Sequence, residues 1–187
     1  MSKINIAIAG VGNCSSALVQ GVQYYNENPE DTIGLMFQDI GGYSAPNFNF
    51  VVGFDVDSRK VGQRLNKAIY AEPNCNMEVF PPGHDMSCIA NESIVYRSPT
   101  LDGIAPHMHD LDKAITFVED TETTPITASE YRDILKNRKV DVLLNYMPVG
   151  SEEAARWHIE NAIKAGVHVV NCMPTYISTK DAMELEQ

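Results

Sequence analysis

The chain has 187 residues, 44% of them hydrophobic and 21% charged, a balance that suits one sizeable globular core and excludes a disordered tail. Its formal charge of −11 argues against nucleic acid or an anionic membrane as a partner, since both need clustered Lys and Arg. No apolar run nears the ~20 residues of a bilayer span, and Met1 to Gly10 lacks the basic start and apolar middle of a signal peptide, so the cytoplasm is the expected compartment.

Taken in order, Ile4 to Ala9 reads as a buried strand that turns on Gly10 and Gly12 into a helix. Cys14, Ala17, Leu18, Gly21, Val22 and Tyr25 recur there at three-four spacing and predict its buried stripe. Asn26 to Asn49 is rich in Pro, Gly and Asn and is expected to leave the sheet, as is Ala71 to Ser93. Between and beyond them, Phe50 to Phe54 and Ser93 to Tyr96 read as strands. Thr127 and Glu130 predict a capping box, with Ile126 and Tyr131 as its staple, on a helix running to about Arg138.

Val140 to Tyr146 is a further strand, followed by a helix that Ser151 can cap. Glu152 and Glu153 suit that helix's positive end, Ala155, Ile159, Ala162 and Ile163 predict its buried face, and Gly166 can end it. Val167 to Cys172 is the last strand, and Ser178 and Asp181 resemble the start of another helix that stops after about two turns, as in a fragment. Continuous apolar strands such as "VDVLLNY" and "VHVVN" belong in a parallel sheet covered on both faces. The expected class is therefore α/β, a Rossmann-like doubly wound and mostly parallel sheet with helices on both faces.

Gly10 and Gly12 carry the first chemical signal. A residue without Cβ allows a tight turn and lets a pyrophosphate approach backbone N–H groups, while the helix that follows offers unpaired donors and a favourable dipole. Ser15 stands where a third glycine is common and implies slightly wider helix–strand packing. Asp55, closing "FVVGFDVD", is placed to accept hydrogen bonds from an adenosine ribose, with the preceding insertion explaining its distance from the glycines. Arg59 and Lys60 leave a phosphorylated ribose open, and Asp57 or Ser58 can simply cap a helix.

Asn145 and Pro148, then Asn171 and Pro174, lie in strand-to-helix turns on the same sheet edge as Gly12 and are candidates for nicotinamide contacts, although turn chemistry alone would also explain them. Cys14, Cys75, Cys88 and Cys172 form no C-x-x-C pair and read as free thiols. His107 and His109 lack a third ligand, so no metal site is expected. His158 and His168 read as helix-surface and strand residues, and Trp157 as a packing or interface residue.

Five stretches in order, "GVGNCSSALVQGVQYY", "VVGFDVDSRKVG", "SPTLDGI", "LLNYMPVGSEEA" and "AGVHVVNCMPTYI", resemble the N-terminal part of myo-inositol-1-phosphate synthases of the archaeal and bacterial type. The resemblance implies a Rossmann domain over 1–187 that binds NAD and a reaction on glucose 6-phosphate: oxidation at C5, enolisation, intramolecular aldol closure and reduction. By position it implies that Val11, Gly12, Asn13 and Cys14 form the phosphate turn with Gly10, that Asp55 is the ribose acceptor, and that Thr100, Leu101 and Asp102 wall the cofactor. The family's catalytic lysines lie in a later catalytic and tetramerisation domain, and Lys180 is too early to replace them. On that reading the tetramer belongs to the whole enzyme and the 187 residues alone are inactive. A different NAD-dependent oxidoreductase and a non-catalytic NAD-binding regulatory module stay open beside it.

Overall fold

The computed structural model describes residues 3–174. Its strands are β1 (Ile4–Ala9), β2 (Phe48–Asp55), β3 (Val95–Arg97), β4 (Val142–Asn145) and β5 (His168–Asn171), and its helices are α1 (Asn13–Glu27), α2 (Leu65–Ala68), α3 (Ala128–Asn137) and α4 (Glu152–Lys164). All paired strands are parallel, in the order β3-β2-β1-β4-β5. The expected doubly wound class is therefore what the chain adopts. The expected helix start around Ser178 and Asp181 lies outside the described residues.

Alternation along β1 builds both layers of the core. Ile6 and Ile8 face one way and pack with Val11, Val19, Phe50, Leu65 and Ile69. Ala7 and Ala9 face the other, where small side chains make room for Phe54 and Tyr131, whose ring centroids lie 4.4 Å apart. Both faces of the central strand are dry, as a parallel sheet requires.

Helix α3 forms as predicted: Thr127 is the N-cap and shares a reciprocal capping box with Glu130. Helix α1 has the predicted period but a different phase. Its buried residues include Ser15, Ser16, Val19, Gln20, Val22 and Gln23, whereas Cys14 and Ala17 are exposed. The glutamines are buried because the excursion before β3 lies on the helix. Gln20 Oε1 accepts from Val79 N at 2.7 Å and Gln23 Oε1 from Cys88 N at 3.3 Å. Where the loop backbone turns onto the helix its N–H groups need partners, and these two side chains supply them.

Helix α4 corrects two expectations. Ile163 is 63% exposed, and the residue buried in its place is His158, at 1%. His158 packs edge-on to Tyr131 and Trp157 and shares a 3.1 Å hydrogen bond through Nδ1 with the Tyr131 hydroxyl. Burial drives its pKa down from 6.5 to about 3, so the imidazole is neutral in the folded protein.

A histidine that refuses a proton until about pH 3, while the unfolded chain takes one near 6.5, stabilises the fold fully above 6.5 and less as pH falls below it. The unfolding free energy is expected to fall between pH 6.5 and 5 with a slope approaching ~1.4 kcal/mol per pH unit. Denaturant titrations should lose most of that slope in His158→Phe, whose orphaned Tyr131 hydroxyl adds only a pH-independent cost. An unchanged slope would place the titrating group elsewhere.

Candidate functional site

The chain reverses its progress across the sheet between β1 and β4, and the crevice above such a switch point is where open α/β sheets bind ligands. Here it is a cavity of about 350 Å³ lined by the glycine turn, the end of β2, the loop after β3 and the turn after β4.

The two glycines have different reasons to be glycine. Gly10 has φ +86°, and a Cβ there would lie 2.7 Å from the Tyr146 carbonyl oxygen. The close approach of β4 therefore dictates Gly10 without any ligand. Gly12 has φ −98°, which any residue tolerates, and a Cβ there would meet nothing within 4 Å. Gly12 borders the cavity, so the space left by its missing side chain is open to an occupant. It is also the N-cap of α1, and no side chain caps that helix, so its first-turn N–H groups remain available.

Ser15 does more than tolerate wider packing. Its buried hydroxyl donates to the Gly10 carbonyl at 2.5 Å, closing the turn from the helix side.

Asp55 sits at the rim and is already engaged. Its Oδ2 accepts from Val11 N at 2.8 Å, and its Oδ1 accepts from Val56 N at 2.7 Å and Asp57 N at 2.9 Å. A carboxylate has about four acceptor positions. Three are taken by backbone, which fixes the group and leaves Oδ2 able to accept one further donor such as a hydroxyl.

Asp57 is wholly buried and makes a 2.6 Å ion pair with Arg59. Burial alone would raise its carboxyl, but hydrogen bonds from the Arg59 side chain and from the Arg59 and Val118 N–H groups hold it below the usual range. Arg59 in turn donates to the carbonyls of Lys113 and Thr116, each at 2.7 Å. This clasp sets Ile115 to Phe117 as the far wall of the cavity and leaves Arg59 engaged with protein rather than turned to a ribose phosphate.

Of the residues singled out in the sequence, Gly10, Gly12, Asn13, Cys14, Asp55, Thr100, Leu101, Asp102 and Pro148 border the cavity. Val11, Asn145, Asn171 and Pro174 do not. The Val11 side chain is in the core against Gly53, and only its N–H reaches the site. Asn145 donates to Asn171 Oδ1 at 2.9 Å and accepts from Met147 N, so the two asparagines hold each other and their turns. Asp102 caps α4 from a distance, accepting from Glu153 N at 2.7 Å and Ala154 N at 3.0 Å. Ser151, expected to be that cap, makes no side-chain cap hydrogen bond and instead presses against Gly103.

Sequence reasoning missed Asn74 and Tyr146 as cavity residues and raised Lys60 only as a cation for a phosphorylated ribose. Asn74 had no local signal, because it arrives through the second excursion: its amide donates to the Val11 carbonyl at 3.2 Å. Next to it, Cys75 N donates to Asn13 Oδ1 at 2.8 Å, and Asn76 donates to the Asn13 carbonyl. Burial pushes the Tyr146 phenol up to about 12, so it stays protonated. All four cysteines are free thiols, and Cys88, buried in the core, has its thiol pushed up to about 12 by that burial. No group of three metal-ligating side chains occurs among the described residues, and His107 is exposed.

A parallel sheet in this order, with a glycine turn and a helix start at its switch point, defines a Rossmann-type α/β protein. In sequence, the chain is 42% identical over 181 residues, 95% of its length, to an inositol-3-phosphate synthase of Mycolicibacterium smegmatis, of which it covers 45%. The resemblance to inositol-phosphate synthases thus holds across nearly the whole chain, which spans about half the length of the curated relatives it matches. The crystal structure of Ari2 is 27% identical and superposes with a TM-score of 0.75 over 99% of this chain and 49% of that one. A myo-inositol-1-phosphate synthase-related protein from Thermotoga maritima, 16% identical, shares the fold with a TM-score of 0.62 over 96% of this chain and 50% of its own. No family model matches the chain.

The division of labour between the glycines is testable by thermal or denaturant unfolding. Gly10→Ala should cost about 2–4 kcal/mol, from the left-handed backbone and the clash with Tyr146. Gly12→Ala should stay within about 1 kcal/mol of the wild type. Equal losses would contradict the assignment.

Proposed function

We propose that the chain is the NAD-binding part of an inositol-3-phosphate synthase, converting D-glucose 6-phosphate to 1D-myo-inositol 3-phosphate, with the rest of the catalytic machinery in the half of the relatives that it does not span. The observation that carries the cofactor assignment is the cradle at Gly12. A glycine with no conformational need to be one opens onto a cavity, beside an uncapped helix start and a carboxylate with one acceptor position left. Thr100 adds to the fit, since its buried Oγ1 beside the cavity has no partner among the described residues.

In this reading the α1 N–H groups hold the diphosphate, and Asp55 accepts from the adenosine ribose and repels a 2′-phosphate. Apolar side chains such as Phe117 and Met147 line the crevice. The bound nicotinamide supplies the hydride acceptor and donor that an oxidation followed by a reduction needs. Enolising and cyclising a sugar phosphate also requires cations for phosphate and oxyanion and a group poised for proton transfer. The described residues bring no such set together: Lys60 is the one Lys or Arg lining the cavity. The sugar phosphate and its proton transfers are accordingly assigned to residues outside this set, and a tetramer to the whole enzyme.

Calorimetry on the 187-residue chain should show NAD binding without inositol phosphate formation from glucose 6-phosphate. Gly12→Ala and Asp55→Ala should each weaken NAD about 10- to 100-fold, and Asp55→Ala should also narrow the preference over NADP. Net accumulation of NADH with glucose 6-phosphate would favour a simple dehydrogenase instead. Unchanged NAD affinity in both variants would move the cofactor elsewhere.

A further inference from the structure

Lys60 is an unusual residue in this cavity. It is 3% exposed, although lysine is rarely buried without a partner because removing an ammonium from water is costly. Its one side-chain hydrogen bond goes to a neutral group, Asn74 Oδ1, at 3.2 Å. Neither Asp55 nor any other described carboxylate forms an ion pair with it. The asparagine is oriented for the purpose: its amide donates to the Ile69 carbonyl at 2.9 Å and to the Val11 carbonyl at 3.2 Å, so its oxygen must face the lysine. Two of the three ammonium donors are left unclaimed.

The surroundings make that cation consequential. The protein is acidic overall, at −11, and the carboxylates of Asp55 and Asp102 also border the cavity. A dianionic ligand is therefore repelled by both the global field and the rim. Asn74 ties the ammonium to Val11, the residue before the open Gly12, which places the charge along the glycine turn.

We propose that Lys60, positioned by Asn74, is the side-chain anion anchor of the site and takes the diphosphate of the bound dinucleotide, supplying by charge what the α1 amides supply by dipole. The inference rests on the cofactor reading above and adds to it a specific binding residue that neither the glycine turn nor the acidic ribose acceptor requires. The second excursion then acquires a role, because it delivers the asparagine that aims the lysine.

Calorimetric titration of wild type, Lys60→Met and Lys60→Gln with NAD, ADP, adenosine and NADP tests it. Both variants keep the buried stem, so thermal melts should stay near the wild type, and either one suffices if the other fails to fold. NAD and ADP should bind about 10- to 100-fold more weakly in the variants, with adenosine changed less than about 2-fold. Equal losses for ADP and adenosine would reduce Lys60 to a packing residue and overturn the proposal. A loss confined to NADP would overturn it in favour of a 2′-phosphate contact. Wild type that binds NAD and ADP, with variants that match it, defeats this inference alone; wild type that binds neither defeats the cofactor reading with it.

Discussion

The Tyr146 carbonyl, at the end of β4, stands 2.7 Å from where a side-chain carbon of residue 10 would be. Pressing one strand end so closely onto another admits only glycine at position 10 and sets the sharp exit from β1. That exit starts α1 at the switch point, with its uncapped amides over the crevice. Ser15 and Asp55 then lock the turn from both sides, through the Gly10 carbonyl and the Val11 N–H. The geometry offered to a ligand at Gly12 is a by-product of packing satisfied next to it.

The carboxylates show how one chemical group serves structure and site together. Asp57 is spent on architecture: paired with Arg59, it ties the loop after β3 to the end of β2 and consumes a cation that sequence alone leaves available for a ribose phosphate. Asp102 is likewise spent on the start of α4 while lining the same cavity. Asp55 is the exception, held by three backbone donors yet with acceptor capacity to spare. Pre-organisation of this kind removes the cost of ordering the group when a ligand arrives.

Much of this was legible in the sequence where local rules operate. The β1 boundaries, the Thr127–Glu130 capping box and the parallel class follow from periodicity and capping chemistry. What escaped depends on contacts remote in sequence. The phase of α1 is set by an excursion some sixty residues away that buries Gln20 and Gln23. Ser151 does stand at the N-cap of α4, but the side chain that caps the helix is Asp102, 51 residues before the Glu153 N–H it accepts from. His158 looked like a surface residue because a polar side chain breaks the apolar stripe, yet Tyr131 supplies the hydroxyl that lets it be buried. Asn145 and Asn171 had the right address on the sheet edge, but they face each other.

The open space at Gly12 is the proposed seat of a diphosphate. A crystal structure of this chain grown with NAD is the most direct measurement. It should show diphosphate oxygens about 3 Å from the amides of Gly12 or Asn13 and an adenosine hydroxyl on Asp55 Oδ2. Coenzyme bound away from the turn, or a protein side chain filling the space over Gly12, would contradict it.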